Sequence, residues 1–298
     1  LRLFLTVKMS SLLPKVRDDF GDSSYWNRFN AETTEFEWYG NYEQLKPTMA
    51  SYLLPRGDIL LVGCGNSALS ANLYDASVAN RIVNSDYEEA TISQMRRRNA
   101  SRPEMTWVVE DMKEMSFPDA SFDCVLDKGA LDALMSSPDL KVDADLMMGD
   151  VARVLKPGGR YLCVSLLQEF VFDRLALALK SHYLSMDAHI LEAASGGSNH
   201  VPFMVVLTKA GGSAEAGGSG EGGAKQATTT RCWFDEATSS AVPDSKTVSP
   251  DKCWAAVFGA QQHFKMKSIK NKLRQLQPGN TEHIELWGAA GEDSGGEE

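Results

Sequence analysis

Residues 59–70 read Ile59-Leu60-Leu61-Val62-Gly63-Cys64-Gly65-Asn66-Ser67-Ala68-Leu69-Ser70: an unbroken apolar run, a turn with two glycines, and the start of a further apolar segment. A strand that is apolar at every position must be covered on both faces, as in a parallel sheet between helix layers. At the turn the chain can bend sharply where residues lack a Cβ, and a ligand can approach backbone amides at the start of a helix. Outward from this stretch, strand-like runs recur at Arg81–Ser85, Thr106–Val109, Phe122–Leu126 and Arg160–Leu166. Helical periodicity fills Ala68–Asp75, Glu88–Asn99, Asp143–Leu155 and Glu169–His182. Pro157-Gly158-Gly159 stops the third of these helices and turns the chain into the fifth strand. Ala188–Ala193 and Phe203–Thr208 are also strand-like, and the short turn-rich Ser195–Asn199 between them predicts an antiparallel pair. The expected fold is α/β, with a sheet that is parallel for five strands and closes with a hairpin.

Composition bounds the rest. The chain has 298 residues, 43% of them hydrophobic, which is enough for a buried core. A formal net charge of −10 argues against nucleic acid as a partner. No apolar run approaches the roughly 20 residues that cross a bilayer, so no membrane partner is expected. The five cysteines, at positions 64, 124, 163, 232 and 253, and the five histidines show no metal-ligand spacing. No metal is expected, and unpaired cysteines point to a reducing, cytoplasmic setting; Cys64 is read as a packing residue. Leu1–Val7 is too short for a signal peptide and is broken by Lys8, so translation is expected to begin at Met9.

The expected organisation is an amino-terminal arm over 1–20, a catalytic domain over 21–209, a flexible linker over 210–230 and a carboxyl-terminal extension over 231–298. The linker reading rests on Gly211–Ala224, which is almost entirely Gly, Ser, Ala and Glu. In the extension, Met266, Ile269, Leu273 and Leu276 share one helical face, with Lys265, Lys267, Lys270, Lys272 and Arg274 around them. Such a helix either docks on the core or offers a basic surface; an acidic tail follows it. The catalytic unit is expected to bind its cofactor without residues 211–298.

Asp86 ends the second strand about twenty residues beyond the glycine turn, where a carboxylate can accept both hydroxyls of a ribose. Gly63-x-Gly65-x-x-Ala68 by itself also satisfies the dinucleotide fingerprint. Glu110-Asp111-Met112 closes the third strand, with Asp111 placed to accept the exocyclic amine of adenine, and Phe117–Asp123 leads into the fourth. With the hairpin, this order resembles the class I S-adenosylmethionine-dependent methyltransferases, whose Rossmann-like sheet has seven strands. Met9–Pro14, Tyr25-Trp26, Phe36–Gly40, Gly63–Ser67, Phe117–Phe122 and Leu126–Asp132 are similar, more closely, to a eukaryotic group that methylates translation elongation factor 1A. The similarity follows the amino-terminal half of the long dual enzymes of that group from Met9 to Lys209, and more loosely Ala256 to Trp287; their spermidine-synthase-like half is not matched. It implies S-adenosylmethionine as cofactor, the elongation factor as protein partner, and lysine as the acceptor. It also implies a cofactor site of Trp26, Trp38, Gly63, Asp86, Tyr87, Asp111, Met112 and Lys128, with Gly65 in the same turn. Asn30 departs from the aromatic residue usual at its position.

Transfer from a sulfonium spreads positive charge, which aromatic faces and carboxylates favour. Trp26 and Trp38 are expected as a lid before the first strand, with core packing as the alternative. A lysine acceptor must be neutral, which at pH 7 costs roughly 4.6 kcal/mol for a pKa of about 10.4. A carboxylate beside it would raise that pKa while orienting the ammonium, so Asp127 and Asp132 are expected as substrate-side positioning or relay groups. For Asp132, capping of the helix it begins is the alternative. Lys128 is expected to pair with the cofactor carboxylate or with Asp127. Two other functions remain open: methylation of a small molecule or nucleic acid, and a cofactor-binding adaptor with little catalysis.

Overall fold

The computed structural model describes residues 23–136, 141–195, 200–211, 229–235 and 240–275. The arm over 1–20, most of the linker and the acidic tail lie outside the described residues. In chain order the elements are α1 (Ser23–Glu32), α2 (Tyr42–Met49), β1 (Gly57–Val62), α3 (Leu69–Asp75), β2 (Ala79–Asp86), α4 (Glu89–Arg98), β3 (Met105–Val109) and β4 (Phe122–Lys128). There follow α5 (Ala130–Leu134), α6 (Lys141–Val154), β5 (Leu155–Ser165), α7 (Glu169–His182), β6 (Tyr183–Ile190), β7 (Phe203–Lys209), β8 (Thr229–Asp235), β9 (Ser240–Val248) and α8 (Pro250–Gln275).

Among the described residues nine strands form one sheet, ordered β3-β2-β1-β4-β5-β7-β6-β8-β9. Its inner strands split their side chains with period two. Ile59, Leu61, Cys124, Leu126, Met204 and Val206 enter one core; Leu60, Val62, Val125, Phe203, Val205 and Leu207 enter the other. Because both faces are covered, β1 reads as a continuous apolar run. Leu45, Met49, Leu73, Ile92 and Met95 of α2–α4 cover the first face. Leu131, Met147, Val151, Val171 and Leu175 of α5–α7 cover the second. β2 and β3 lie to one side of β1, whereas β4 and β5 lie to the other. The carboxyl ends of β1 and β4 therefore flank a crevice at the point where strand order reverses, the place such sheets bind ligands.

The seven expected strands are present, and β7 pairs antiparallel with both β5 and β6. β6 starts five residues before the expected Ala188, because the chain passes directly from α7 into extended backbone at Tyr183. Its far end is turned by a single 3-10 turn, Glu192–Ala194.

The extension packs on the catalytic unit, its helix docking on the core, which is the first of the two readings its sequence left open. β8 adds to the sheet edge, parallel to β6 from Ser185↔Thr229 to Ala188↔Cys232, and β9 pairs antiparallel with β8. A charged tie locks this edge: Arg231 donates from Nε and Nη2 to the buried Asp187 carboxylate, both at 2.6 Å, and the Tyr52 hydroxyl donates to Oδ2 at 3.0 Å. Helix α8 then buries Cys253, Ala256, Val257, Ala260 and Phe264 in the core beside α7, with Trp254 and Phe172 rings 5.4 Å apart. Of the expected face, Met266, Ile269, Leu273 and Leu276, only the Met266 side chain is among the described ones. The helix begins at Pro250, its docked stripe runs 253-257-260-264, and Met266 is half exposed. Side chains beyond Met266 lie outside the described residues. Among the described residues no helix is long and apolar enough to cross a membrane.

Candidate functional site

A cavity of about 560 Å³ opens at the carboxyl ends of β1–β5. The turn after β1 shapes its floor. Gly63 and Gly65 have φ of +56° and +51°, and a Cβ on Gly63 would lie 2.6 Å from the Ala130 Cβ, so no other residue fits there. Asp86, at the end of β2, fastens the turn: Oδ2 accepts from the Gly65 amide at 2.9 Å and Oδ1 from the Glu88 amide at 3.1 Å. Burial raises its pKa, against the pull of these amides and that of Tyr87.

Trp26, Trp38, Gly63, Gly65, Asp86, Tyr87, Asp111, Met112, Lys128 and Asp132 all line this cavity, so the structure brings together all but one of the predicted site residues. The two tryptophans belong to an aromatic cluster as well as to the wall. Their ring centroids are 6.0 Å apart, and Trp38 lies 4.8 Å from Phe36 and 5.7 Å from Phe29. Packing and lining are thus one arrangement. Asn30, also in the wall, donates to Thr91 Oγ1 at 3.0 Å and ties α1 to α4. At the rim, Asp111 Oδ1 accepts from the Lys113 amide at 2.9 Å.

The residue that does not reach the cavity is Asp127. Its fully buried carboxylate accepts from the Ala130 amide at 2.7 Å, the Leu131 amide at 3.1 Å and the Tyr161 hydroxyl at 2.6 Å. It therefore caps α5, the role weighed in the sequence for Asp132, and it is not part of the cavity wall. Burial pushes its pKa up to about 6. Asp127→Ala leaves two helix amides and a hydroxyl unpaired inside the core and is expected to lower unfolding stability by about 3–5 kcal/mol in denaturant titration. A loss below about 1 kcal/mol would contradict the capping role.

Asp132 does reach the cavity. It accepts from the Ser165 hydroxyl and from the Leu166 amide at 3.0 Å, and the Tyr39 phenol lies beside it. Burial raises the pKa of Asp132, and burial together with Asp132 raises that of Tyr39. Tyr39 was not singled out from the sequence; it sits at φ +57° beside Gly40, in an irregular segment with no periodicity to read. Glu37 was also missed. It accepts from the Ser67 hydroxyl at 2.7 Å, the Ala68 amide at 2.8 Å and Lys128 Nζ at 2.8 Å, joining the glycine turn to the end of β4. Lys128 donates further to the Trp38 carbonyl at 2.9 Å and does not pair with Asp127. Burial lowers the Lys128 pKa, partly offset by Glu37.

A turn open to close backbone approach, a carboxylate at the end of β2, an aromatic wall and a second carboxyl group across the cavity fit a nucleoside-containing sulfonium donor and its acceptor.

The methyltransferase domain family matches residues 60–163. The eEF1A lysine and N-terminal methyltransferase of Bos taurus is 43% identical over 212 residues, covering 67% of this chain and 30% of that protein. The chain thus spans less than a third of the length of that relative. The EEF1A lysine methyltransferase 4 of Mus musculus is 32% identical over 164 residues, covering 51% of this chain and 64% of that protein. Among solved structures, a 1,6-didemethyltoxoflavin-N1-methyltransferase of Burkholderia thailandensis has a TM-score of 0.47 at 19% identity, covering 68% of this chain and 89% of that one. Residues 60–163 carry the match to the methyltransferase domain family, and the chain is similar to the eEF1A lysine and N-terminal methyltransferases over 67% of its length.

Proposed function

We propose that this chain transfers methyl groups from S-adenosylmethionine to a lysine side chain of eEF1A. The observation that carries the proposal is the 43% identity to a relative of that name over 67% of this chain. When bound, the donor would supply an activated methyl group on a sulfonium, open to in-line displacement by a neutral amine with the thioether as leaving group.

Each residue then has a physical task. Asp86 accepts the ribose hydroxyls, while Asp111 and Met112 hold the adenine edge and Tyr87 packs beside them. Gly63 and Gly65 let the donor approach backbone amides. Trp26 and Trp38 present aromatic faces to the cationic end, and Lys128, with Glu37, fixes the wall below. Asp132 and Tyr39 face the acceptor. A lysine that enters this enclosed space loses solvation, which lowers its pKa, while burial raises that of Asp132. The two values move toward each other, so Asp132 can orient the ammonium and take its proton at less cost than an exposed carboxylate could.

The cytoplasmic setting is part of the same proposal; the buried cysteines Cys64, Cys124 and Cys163, none of them in a disulfide, support it. Labelled donor mixed with eEF1A is expected to label the factor, and prior chemical blocking of its lysines is expected to abolish the signal. Undiminished labelling of the blocked factor would contradict a lysine acceptor.

A further inference from the structure

We infer that Gln261 of α8 is a positioning residue for the acceptor side of the cavity, acting through the loop that holds Asp132. This rests on the role proposed above for Asp132. Gln261 Nε2 donates to the carbonyls of Leu166 and Leu167, at 2.9 and 3.0 Å. Those carbonyls belong to the short connection between β5 and α7, where neither strand nor helix supplies them a partner. The opposite side of the same connection serves Asp132. The Leu166 amide and the Ser165 hydroxyl donate to its two oxygens, and Ser165 Oγ accepts from the Leu167 amide at 2.7 Å. Three consecutive residues are thus held between the Asp132 carboxylate and the Gln261 carboxamide.

The backbone here needs holding. Leu167 adopts φ of +52°, a left-handed conformation that a leucine reaches only at a steric cost, and its side chain is fully buried. A connection in a disfavoured conformation relaxes when a constraint is removed, and relaxation here would move the amide and hydroxyl that aim Asp132. Leu166 and Gln168 also line the cavity, so the same shift would alter its acceptor end directly. The two amide protons of Gln261 match the two carbonyls one for one.

Docking of α8 does not depend on this side chain. Val257, Ala260 and Phe264 carry the packing, and the next residue, Gln262, is exposed. Gln261 can therefore lose its donors without the helix losing its seat. The carboxyl-terminal extension thereby has a direct hold on the catalytic loop, through a contact between residues 95 positions apart.

The test compares four variants of the full chain. Gln261→Met keeps the length and removes the donors; Gln261→Glu sets a carboxylate against two carbonyls; Gln261→Lys keeps a donor; Gln262→Ala is the control. Donor affinity, measured calorimetrically with S-adenosylmethionine, is expected to change less than about 2-fold in all four, since the donor contacts lie on other elements. Methyl transfer to eEF1A is expected to fall about 10-fold in kcat for Gln261→Met and further for Gln261→Glu, with Gln261→Lys and Gln262→Ala within about 3-fold of the parent. Amide hydrogen exchange over residues 165–168 is expected to accelerate about 10-fold in the Met and Glu variants only. Unchanged exchange and kcat in Gln261→Met would overturn the inference, and so would a fall in kcat matched by lost donor affinity and a lowered thermal transition. If the parent chain labels no eEF1A, the proposed function fails by itself; the exchange at 165–168 then decides on Gln261, and unchanged protection overturns it.

Discussion

A chain ending at Gly211 is expected to be insoluble, or to unfold without a cooperative thermal transition. The truncation removes β8 from the edge of β6 and takes five buried side chains, Cys253, Ala256, Val257, Ala260 and Phe264, out of the core against α7. Losing even the two larger ones costs about 1–4 kcal/mol each in exposed surface and voids. It also strips Arg231 from Asp187, which is 1% exposed and would be left with one neutral donor, the Tyr52 hydroxyl. Breaking such a pair costs about 3–5 kcal/mol. The sum is comparable to the whole stability of an ordinary domain, about 5–15 kcal/mol. A truncated chain that melts cooperatively, with a donor-dependent rise in Tm like that of the full chain, would contradict the integration of β8 and α8 into the catalytic fold.

Asp86→Ala is expected to weaken S-adenosylmethionine binding at least 100-fold and to remove the donor-dependent rise in Tm. Two effects act together. Hydrogen bonds that a carboxylate accepts from hydroxyls contribute about 1.5–3 kcal/mol each, and the same carboxylate fixes the glycine turn through the Gly65 and Glu88 amides. Asp86→Asn keeps the shape but exchanges one acceptor oxygen for a donor, so a loss of about 10-fold is expected from it. Calorimetric titration reads both. An alanine variant that binds within about 3-fold of the parent would mean that the ribose lies elsewhere.

The parts of this protein that were legible in its sequence are those dictated by neighbours in the chain. β1 announces itself because Ile59–Val62 faces two cores, and Asp86 because a carboxylate at a strand end follows the glycine turn at the usual spacing. The antiparallel hairpin followed from a loop too short for a crossover. What the sequence withheld depends on long-range packing. Asp127 looked like an acceptor-side group because it lies near the end of β4, yet the chain turns at Gly129, with φ of +86°, and the helix that follows sets two amides onto it. Tyr39 and Glu37 lie in an irregular stretch and acquire their roles from residues about 90 positions away. β8 and β9 were hidden by a glycine-rich flank and by Pro243 within Ser240–Val248, a residue that edge strands tolerate and inner strands do not.

The central claim is methyl transfer to a lysine of eEF1A, and peptide mass spectrometry of eEF1A after incubation with this chain and isotopically labelled S-adenosylmethionine tests it most directly. The expected result is label on the ε-amine of a lysine, absent when Asp86→Ala replaces the parent chain. Label confined to the amino-terminal α-amine, to RNA or to small molecules, with every eEF1A lysine unmodified, would contradict it.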